Sequence, residues 1–273
     1  MEVAIHQIVT FATDVFSGNP AFVATLPESV PDTVLQNVAG QLGEAVLSSL
    51  RRLGDGRFAL RFHSPSGPLG GAGHAVAAAS HVMLAETGAA RGTFVLADGS
   101  ARTVVREGTR IAVPWAVMPY APTDRAGALS DALGIPVTRA LVADFGYVAV
   151  TEDPAAIRDM NPDLDAIARF DRSTVIVTAP GDTSDFVIRV FAPKVGLPED
   201  PVCGTAHRII APYWGEQLGR TEMHSHQLSP RGGHLWCRLA GETVVVSGDS
   251  TTFLAGSLRL PEMSSAPATA ALA

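Results

Sequence analysis

Pro198-Glu199-Asp200-Pro201-Val202-Cys203-Gly204-Thr205-Ala206-His207 sets two carboxylates, a thiol, a hydroxyl and an imidazole around one glycine. The run Arg208-Ile209-Ile210-Ala211-Pro212-Tyr213-Trp214 after it reads as a helix. A helix start carries unpaired backbone N–H groups and the positive end of the helix dipole, so it can hold an anion. A carboxylate held there would lie beside several groups able to move protons. That is the outline of an active site.

Working outward, Ser173–Ala179 and Asp185–Phe191 before this loop read as strands, as do Ala140–Ala143 and Tyr147–Val150. Pro154–Ile157 and Asp163–Arg169 read as short helices. After the loop and its helix, Leu235–Leu239 and Thr243–Ser247 form a hairpin around Ala240-Gly241. The first half repeats this grammar. Val3–Phe11 and Ala21–Ala24 are strands on either side of the turn Ser17-Gly18-Asn19-Pro20. Pro31-Asp32 opens a helix through Leu35, Val38, Ala39 and Leu42, and Glu44 lies just beyond it. Val46–Leu50 and Phe58–Phe62 are strands, followed by the glycine-rich loop Gly67–Gly73 and an alanine-rich helix from His74 to about Glu86. Thr93–Ala97 and Ala101–Val105 then pair around Asp98-Gly99. Each half therefore holds strands, a glycine-bearing loop, one central helix and more strands. The expected fold is α+β, as two similar domains with a cleft between them. The junction is expected near Pro114 to Arg125, giving domains 1–118 and 119–262. The small-residue end 263–273 is expected to be a disordered tail.

Composition narrows the function. At roughly 150 residues per domain, 273 residues suit two domains. The net charge is −7 and no Lys/Arg run occurs, so a nucleic-acid partner is not expected. Met1–His6 lacks a basic region followed by an apolar core, and no stretch approaches the roughly 20 apolar residues that span a bilayer. Two cysteines, Cys203 and Cys237, make no disulfide framework. These features describe a soluble, cytoplasmic protein without a membrane partner.

Each candidate group has a bland reading beside the chemical one. Gly73-His74 at a helix start is a steric glycine and a cap, or part of a binding site. Strand, glycine loop, helix, strand and Asp98 resemble a dinucleotide site, but Val76 stands where the third glycine or alanine of that fingerprint belongs. Glu44 is a solvated charge, or an acid whose apolar flanks Leu42, Val46 and Leu47 raise its pKa toward the range of proton transfer. Asp200 and Thr205 cap locally, or orient a substrate. Cys203 is buried, or is a thiol whose ionised form the helix start favours. His224, His226, His234 and Cys237 match no standard zinc spacing, so no metal is expected. Arg231, in Ser229-Pro230-Arg231-Gly232-Gly233, holds a carboxylate or closes a loop.

Four segments together resemble the PhzF-like isomerases, relatives of diaminopimelate epimerase and proline racemase. They are Phe16–Ala21; Leu60–Pro65 with Gly73-His74-Ala75; Arg189–Pro193 with Glu199–His207; and Ser229–Gly233. The resemblance implies two domains, each a curved, mostly antiparallel sheet around a central helix, with the last strand returning to the first domain. It implies a homodimer with no metal or organic cofactor, acting on a small amino-acid-like carboxylate by moving a proton between carbons. By the same resemblance, Glu44 is the acid/base. His74 and Asp200 act beside it, and Gly73, Asn19, Cys203, Gly204, Thr205 and Arg231 bind substrate.

The departures from the family pattern carry information. The family prefers Ser-Glu-Thr where this chain has Gly43-Glu44-Ala45, and an acidic Glu-Val-Asp-Leu-Cys run where it has Pro68-Leu69-Gly70-Gly71-Ala72. Epimerases of this fold use two opposed thiols; Cys203 matches the second, and the first falls at Ala72, which cannot titrate. A single acid/base shifting a proton along a conjugated amino-acid-derived acid is the expected chemistry, in a natural-product pathway of phenazine or alkylproline type. The alternative is a catalytically silent, small-molecule-binding member of the same fold.

Overall fold

The computed structural model describes residues 1–43, 46–69 and 72–261. The expectations that fall on Glu44, on Gly70-Gly71 and on the 263–273 tail lie outside the described residues. The first half contains β1 (Glu2–Thr10), β2 (Asn19–Leu26), α1 (Asp32–Leu42), β3 (Leu47–Gly54), β4 (Arg57–Ser64), β5 (Gly67–Leu69), α2 (Gly73–Thr87), β6 (Arg91–Val95), β7 (Ala101–Glu107) and β8 (Arg110–Ala116). The second contains β9 (Tyr120–Pro122), α3 (Ala126–Leu133), β10 (Arg139–Ala143), β11 (Tyr147–Val150), α4 (Pro154–Asp159), α5 (Leu164–Ala168), β12 (Val175–Pro180), β13 (Phe186–Phe191), α6 (His207–Leu218), β14 (Glu222–Gln227), β15 (Gly233–Ala240) and β16 (Thr243–Arg259).

The strands join in one curved sheet ordered β1-β2-β3-β4-β6-β7-β8-β16-β15-β14-β13-β12-β11-β10-β9, with β5 on β4. Most neighbours are antiparallel. The exceptions are β2/β3, β4/β6, β11/β12 and β13/β14, which are parallel. Parallel neighbours need a crossover, and in each case the crossover carries helix: α1, α2, α4 with α5, and α6. The two halves thus repeat one plan, in which α2 and α6 hold equivalent places.

Sequence explains why these two helices are central. Ten of the fifteen α2 residues are buried, on every side of the helix, so up to Leu84 it has no solvent face; Ala85 and Glu86 of its last turn are exposed. Ala75, Ala77, Ala78 and Ala79 let strands approach closely all round. The long β16 closes the first half: it pairs with β8 over Thr243–Asp249 and with β1 over Ser250–Arg259. One apolar cluster runs through both halves, joining Phe58, Phe94 and Ile111 to Phe186, Ile209 and Trp214. Among the described residues no helix is long and apolar enough to cross a membrane.

Two local expectations need correction, and one helix was not expected. Pro114, Trp115 and Ala116 are not part of a connecting segment; they are strand β8, paired with Val245, Val244 and Thr243 of β16. Proline is tolerated there because pairing with β7 ends at Ala112, leaving that side of Pro114 without a ladder partner. Helix α3 begins without a side-chain cap and contains Gly127, so no start signal marks it. The connection to β2 begins at Phe11, which was expected to be strand: it lies just past the end of β1 and has φ +59°, unusual for a side chain of this size.

Gly18 shows how tightly this turn is built. It has φ +70°, and a Cβ added there would lie 2.4 Å from the Thr10 carbonyl oxygen and 2.8 Å from the Ala12 Cβ. Gly18→Ala is expected to destabilise the fold by about 2 kcal/mol or more. A lowered urea midpoint checks this; an unchanged midpoint would mean the turn repacks freely.

Candidate active site

The starts of α2 and α6 meet. A Cβ added at Gly73 would lie 3.2 Å from both the backbone nitrogen and the Oγ1 of Thr205, and 3.5 Å from the Gly204 carbonyl carbon. A Cβ added at Gly204 would lie 3.3 Å from the Phe11 ring and 3.9 Å from the Gly73 carbonyl carbon. Two backbones therefore approach so closely that a side chain at either glycine would be tight against its neighbours. Neither helix has a side-chain cap: Ala72 precedes α2 and Ala206 precedes α6. At α6 the N–H groups of His207, Arg208 and Ile209 bond back to the Gly204, Thr205 and Ala206 carbonyls, so the N–H groups that this start presents are those of the turn Gly204–Ala206, of which Thr205 and Ala206 face the Cys203 sulfur.

The acidic loop before α6 is held from four directions. Arg189 grips Glu199 with two hydrogen bonds, Nε to Oε1 at 2.7 Å and Nη2 to Oε2 at 2.8 Å. Its Nη1 donates to the Ile157 and Met160 carbonyls at 3.1 and 3.0 Å, so all three nitrogens of this buried guanidinium are engaged. The Asp200 N–H donates to the Val190 carbonyl at 2.9 Å. Asn19 Nδ2 donates to Asp200 Oδ1 at 2.8 Å and to the Val202 carbonyl at 2.9 Å. Gln227 bridges the loop, donating to the Asp200 carbonyl at 2.6 Å and accepting from the Cys203 N–H at 2.8 Å. Ser229 Oγ donates to the Pro201 carbonyl at 2.5 Å.

Burial governs the electrostatics. It raises the Asp200 carboxyl above its ordinary value, against the lowering pull of His74 and of hydrogen bonds from Cys203, Val202 and Asn19. Burial also lowers His74, with Asp200 pulling it back up. The pair is coupled, and both shifts bring the neutral acid and the neutral base closer in energy to the ion pair. Of the two readings of Cys203, the structure gives the buried one. Its pKa is raised, first by burial and then by Asp200, which outweigh the N–H groups of Ala206 and Thr205. The thiol is held protonated and donates to Asp200.

Asn19, Gly73, His74, Asp200, Cys203, Gly204 and Thr205 are thus brought together. Arg231 is exposed and acts elsewhere: Nε donates to the Gly18 carbonyl at 2.8 Å and Nη2 to the Ser17 carbonyl at 3.1 Å. Of its two readings, the geometry gives loop closure. Gly18 N–H returns a bond to the Gly232 carbonyl at 2.7 Å, lacing the two turns together. Glu44 lies outside the described residues, but its flanks do not. Gly43 ends α1 with φ +69°, Val46 is buried in the cluster that contains α2, and Ser48 Oγ reaches the Ala75 carbonyl at 3.5 Å.

Sequence reasoning missed Gln227 and the working partners of His207. The signal for Gln227 was a strand parity. Met223, Ser225 and Gln227 alternate with His224 and His226, so the polar Ser225 and Gln227 face inward with Met223. Ser225 Oγ donates to His207 Nε2 at 2.9 Å, and His207 Nδ1 donates to the Cys203 carbonyl at 2.9 Å. His224, His226 and His234 stack on one another on the outer face, with ring centroids 4.2 and 5.0 Å apart. Cys237 lies buried on the opposite face. Among the described residues no group of three or more His, Cys, Asp or Glu side chains is placed to hold a metal ion.

Two opposed helix starts in a repeated α+β plan define the epimerase-like class of enzymes. The model of the phenazine biosynthesis-like protein family matches residues 8–256, and the chain belongs to that family. It is 35% identical over 262 residues to a protein of Pseudomonas aeruginosa named an uncharacterized isomerase, covering 95% of this chain and all of the relative. A second such isomerase, from Halalkalibacterium halodurans, is 30% identical over 95% of this chain and all of the relative. The crystal structure of a PhzF-family phenazine biosynthesis protein from Enterococcus faecalis superposes with a TM-score of 0.91 at 30% identity, covering 95% of this chain and all of that one. A hydroxyproline epimerase from Agrobacterium vitis shares the fold at a TM-score of 0.56 and 13% identity, over 94% and 92% of the two chains. The chain is an isomerase of the PhzF family.

The buried imidazole of His207 sets a pH dependence. Its pKa is lowered to about 4, chiefly by burial, whereas in the unfolded chain it is near 6.5. Between those values the unfolded chain binds the extra proton, so stability is full above about pH 6.5 and falls as pH drops toward 4. One such imidazole contributes a slope of up to about 1.4 kcal/mol per pH unit. Urea unfolding of wild type and His207→Gln across this window should show a shallower slope in the variant. Equal slopes would assign the loss to other groups.

Proposed function

We propose that the enzyme shifts a proton along a small, conjugated amino-acid-derived acid, without a cofactor, in a natural-product pathway of phenazine or alkylproline type. The observation that carries this reading is the contact of two uncapped helix starts beside half-buried Asp200 and His74 and buried Cys203. The substrate carboxylate accepts from N–H groups at Gly73-His74 and Gly204-Thr205. Thr205 and Asn19 contribute polar contacts, and Asp200 with His74 orients the substrate's amino or hydroxyl group.

Glu44 removes a proton from the activated carbon and returns it to another position of the conjugated system. Fixed N–H donors stabilise the delocalised anion formed between these steps, an effect often worth about 3 kcal/mol. A one-base route fits the site better than inversion by two thiols. Ala72 stands at the start of α2 where a second thiol would be needed, and Cys203 is held protonated.

Deuterium incorporation from heavy water into candidate dienyl and enamine amino acids tests the proposal. Glu44→Gln should lower exchange by about 100-fold or more, the usual range for a lost acid/base. Exchange unchanged in the variant would remove Glu44 from the mechanism. Tight binding of these compounds without exchange in wild type would favour the silent scaffold.

A further inference from the structure

The face of the sheet opposite α2 carries a second group of polar side chains. Along β3, Ser48 and Leu50 point toward α2: Ser48 Oγ reaches the Ala75 carbonyl, and Leu50 belongs to the cluster that contains that helix. Leu47, Ser49 and Arg51 therefore face the other way, where Leu47 clusters with Leu35 and Ala39 of α1. The register sets His63 of β4 opposite Leu47 and Arg61 opposite Ser49, so both share the α1 face.

Three of these groups stand in line. Ser49 Oγ lies 3.0 Å from His63 Nε2, and His63 Nδ1 lies 3.6 Å from Oδ1 of Asp32, the first residue of α1. His63 is 1% exposed, and among the described residues its Nδ1 has no hydrogen-bond partner. The facing carboxylate favours the tautomer with its proton on Nδ1, which leaves Nε2 to accept from the Ser49 hydroxyl. The Asp32 side chain is 63% exposed and free to turn, so the longer gap is the one that can close when a substrate binds. Burial holds His63 below its ordinary pKa, against the raising pull of Asp32 and with a further lowering by Arg61, so the imidazole is neutral at pH 7.

A cleft of about 250 Å³ opens beside Ser49, lined also by Asp32, Leu35, Arg51, Ala59 and Arg61. It is smaller than the sites of drug-sized ligands, which start at about 300 Å³. Arg61 Nη1 is fixed by the Leu60 and Val95 carbonyls at 2.9 and 3.0 Å, while its Nε and Nη2 make no hydrogen bond among the described residues. Arg51 on β3 and Glu28 before α1 are the other charged groups on the cleft.

We infer that Ser49, His63 and Asp32 form a second active site, which hydrolyses a short-chain carboxylic ester. Ser49 Oγ adds to the ester carbonyl carbon as its proton passes to His63 Nε2. The Arg61 guanidinium stabilises the oxyanion. The bond from the carbonyl carbon to the leaving oxygen breaks, and the same proton goes to the departing alcohol. Water then adds to the acyl-serine and gives a proton to His63; the bond to Ser49 Oγ breaks as that proton returns to it. Ester and water become acid and alcohol, with no redox change. Asp32 is a positioning residue that acts through the imidazole. This site lies across the sheet from the two helix starts and uses none of their residues, so it stands or falls apart from the isomerase reading.

Labelling of the full chain with an alkyl fluorophosphonate, read by intact mass and peptide mapping, tests it. The folded protein should gain one phosphonyl group, on Ser49. Ser49→Ala should remove the label and lower hydrolysis of 4-nitrophenyl butyrate by about 100-fold or more, and His63→Gln should slow labelling to a similar degree. Asp32→Asn should move the acid limb of the hydrolysis profile to lower pH, because the carboxylate raises the pKa of the imidazole. A wild type unlabelled at Ser49, hydrolysis that survives Ser49→Ala, or an acid limb that Asp32→Asn leaves in place overturns the inference. Should His63→Gln fail to fold, the wild-type label and Ser49→Ala decide.

Discussion

The fold depends on two helix starts touching without side chains between them. Gly73 and Gly204 stand within van der Waals reach of the opposing backbone, and a methyl group at either would press on peptide or aromatic atoms that must give by a few tenths of an ångström. Everything around this contact serves it. The alanine-rich α2 can be buried on all sides, which lets its first turn reach the middle of the molecule. The parallel strand pairs β4/β6 and β13/β14 fix where α2 and α6 begin. Strand β16 ties the halves together by pairing with β8, β15 and β1 along one continuous run.

Such a contact concentrates backbone N–H groups at two helix starts, and the acidic loop is held rigidly against them. Arg189, Asn19, Gln227 and Ser229 each bind a different part of Glu199–Cys203, so the Asp200 carboxyl is positioned by at least three elements of the fold. Desolvation then sets the chemistry. It raises Asp200 and Cys203 and lowers His74 and His207, so the centre favours neutral groups poised around a region of positive backbone potential. An incoming carboxylate would be the anion that this region lacks.

Much of this was legible in the chain. The repeated strand, glycine loop and helix grammar gave the two-part plan, because hydrophobic period and glycine position respond to local geometry. The run from Pro198 to His207 pointed to the candidate site, since it sets acids and a thiol at a helix start. Long-range partnerships were not legible. Gln227 lies 24 residues from Cys203 and 27 from Asp200, and only the folded register of β14 brings its amide to the loop. Arg231 looked equally suited to a ligand or a turn, and the Ser17 and Gly18 carbonyls that claim it are more than 200 residues away. Pro114 argued against a strand until its unpaired side was visible. The positive φ of Phe11 has no sequence signature, because tertiary packing against Gly204 and Gly248 imposes it.

Backbone amide chemical shifts, followed during titration with a stable conjugated carboxylate such as sorbate, test the central claim most directly. The account predicts saturable shifts led by Gly73, His74, Gly204, Thr205 and Ala206, the N–H groups at the two opposed starts. Saturable binding that leaves those amides unmoved and perturbs another surface would contradict it.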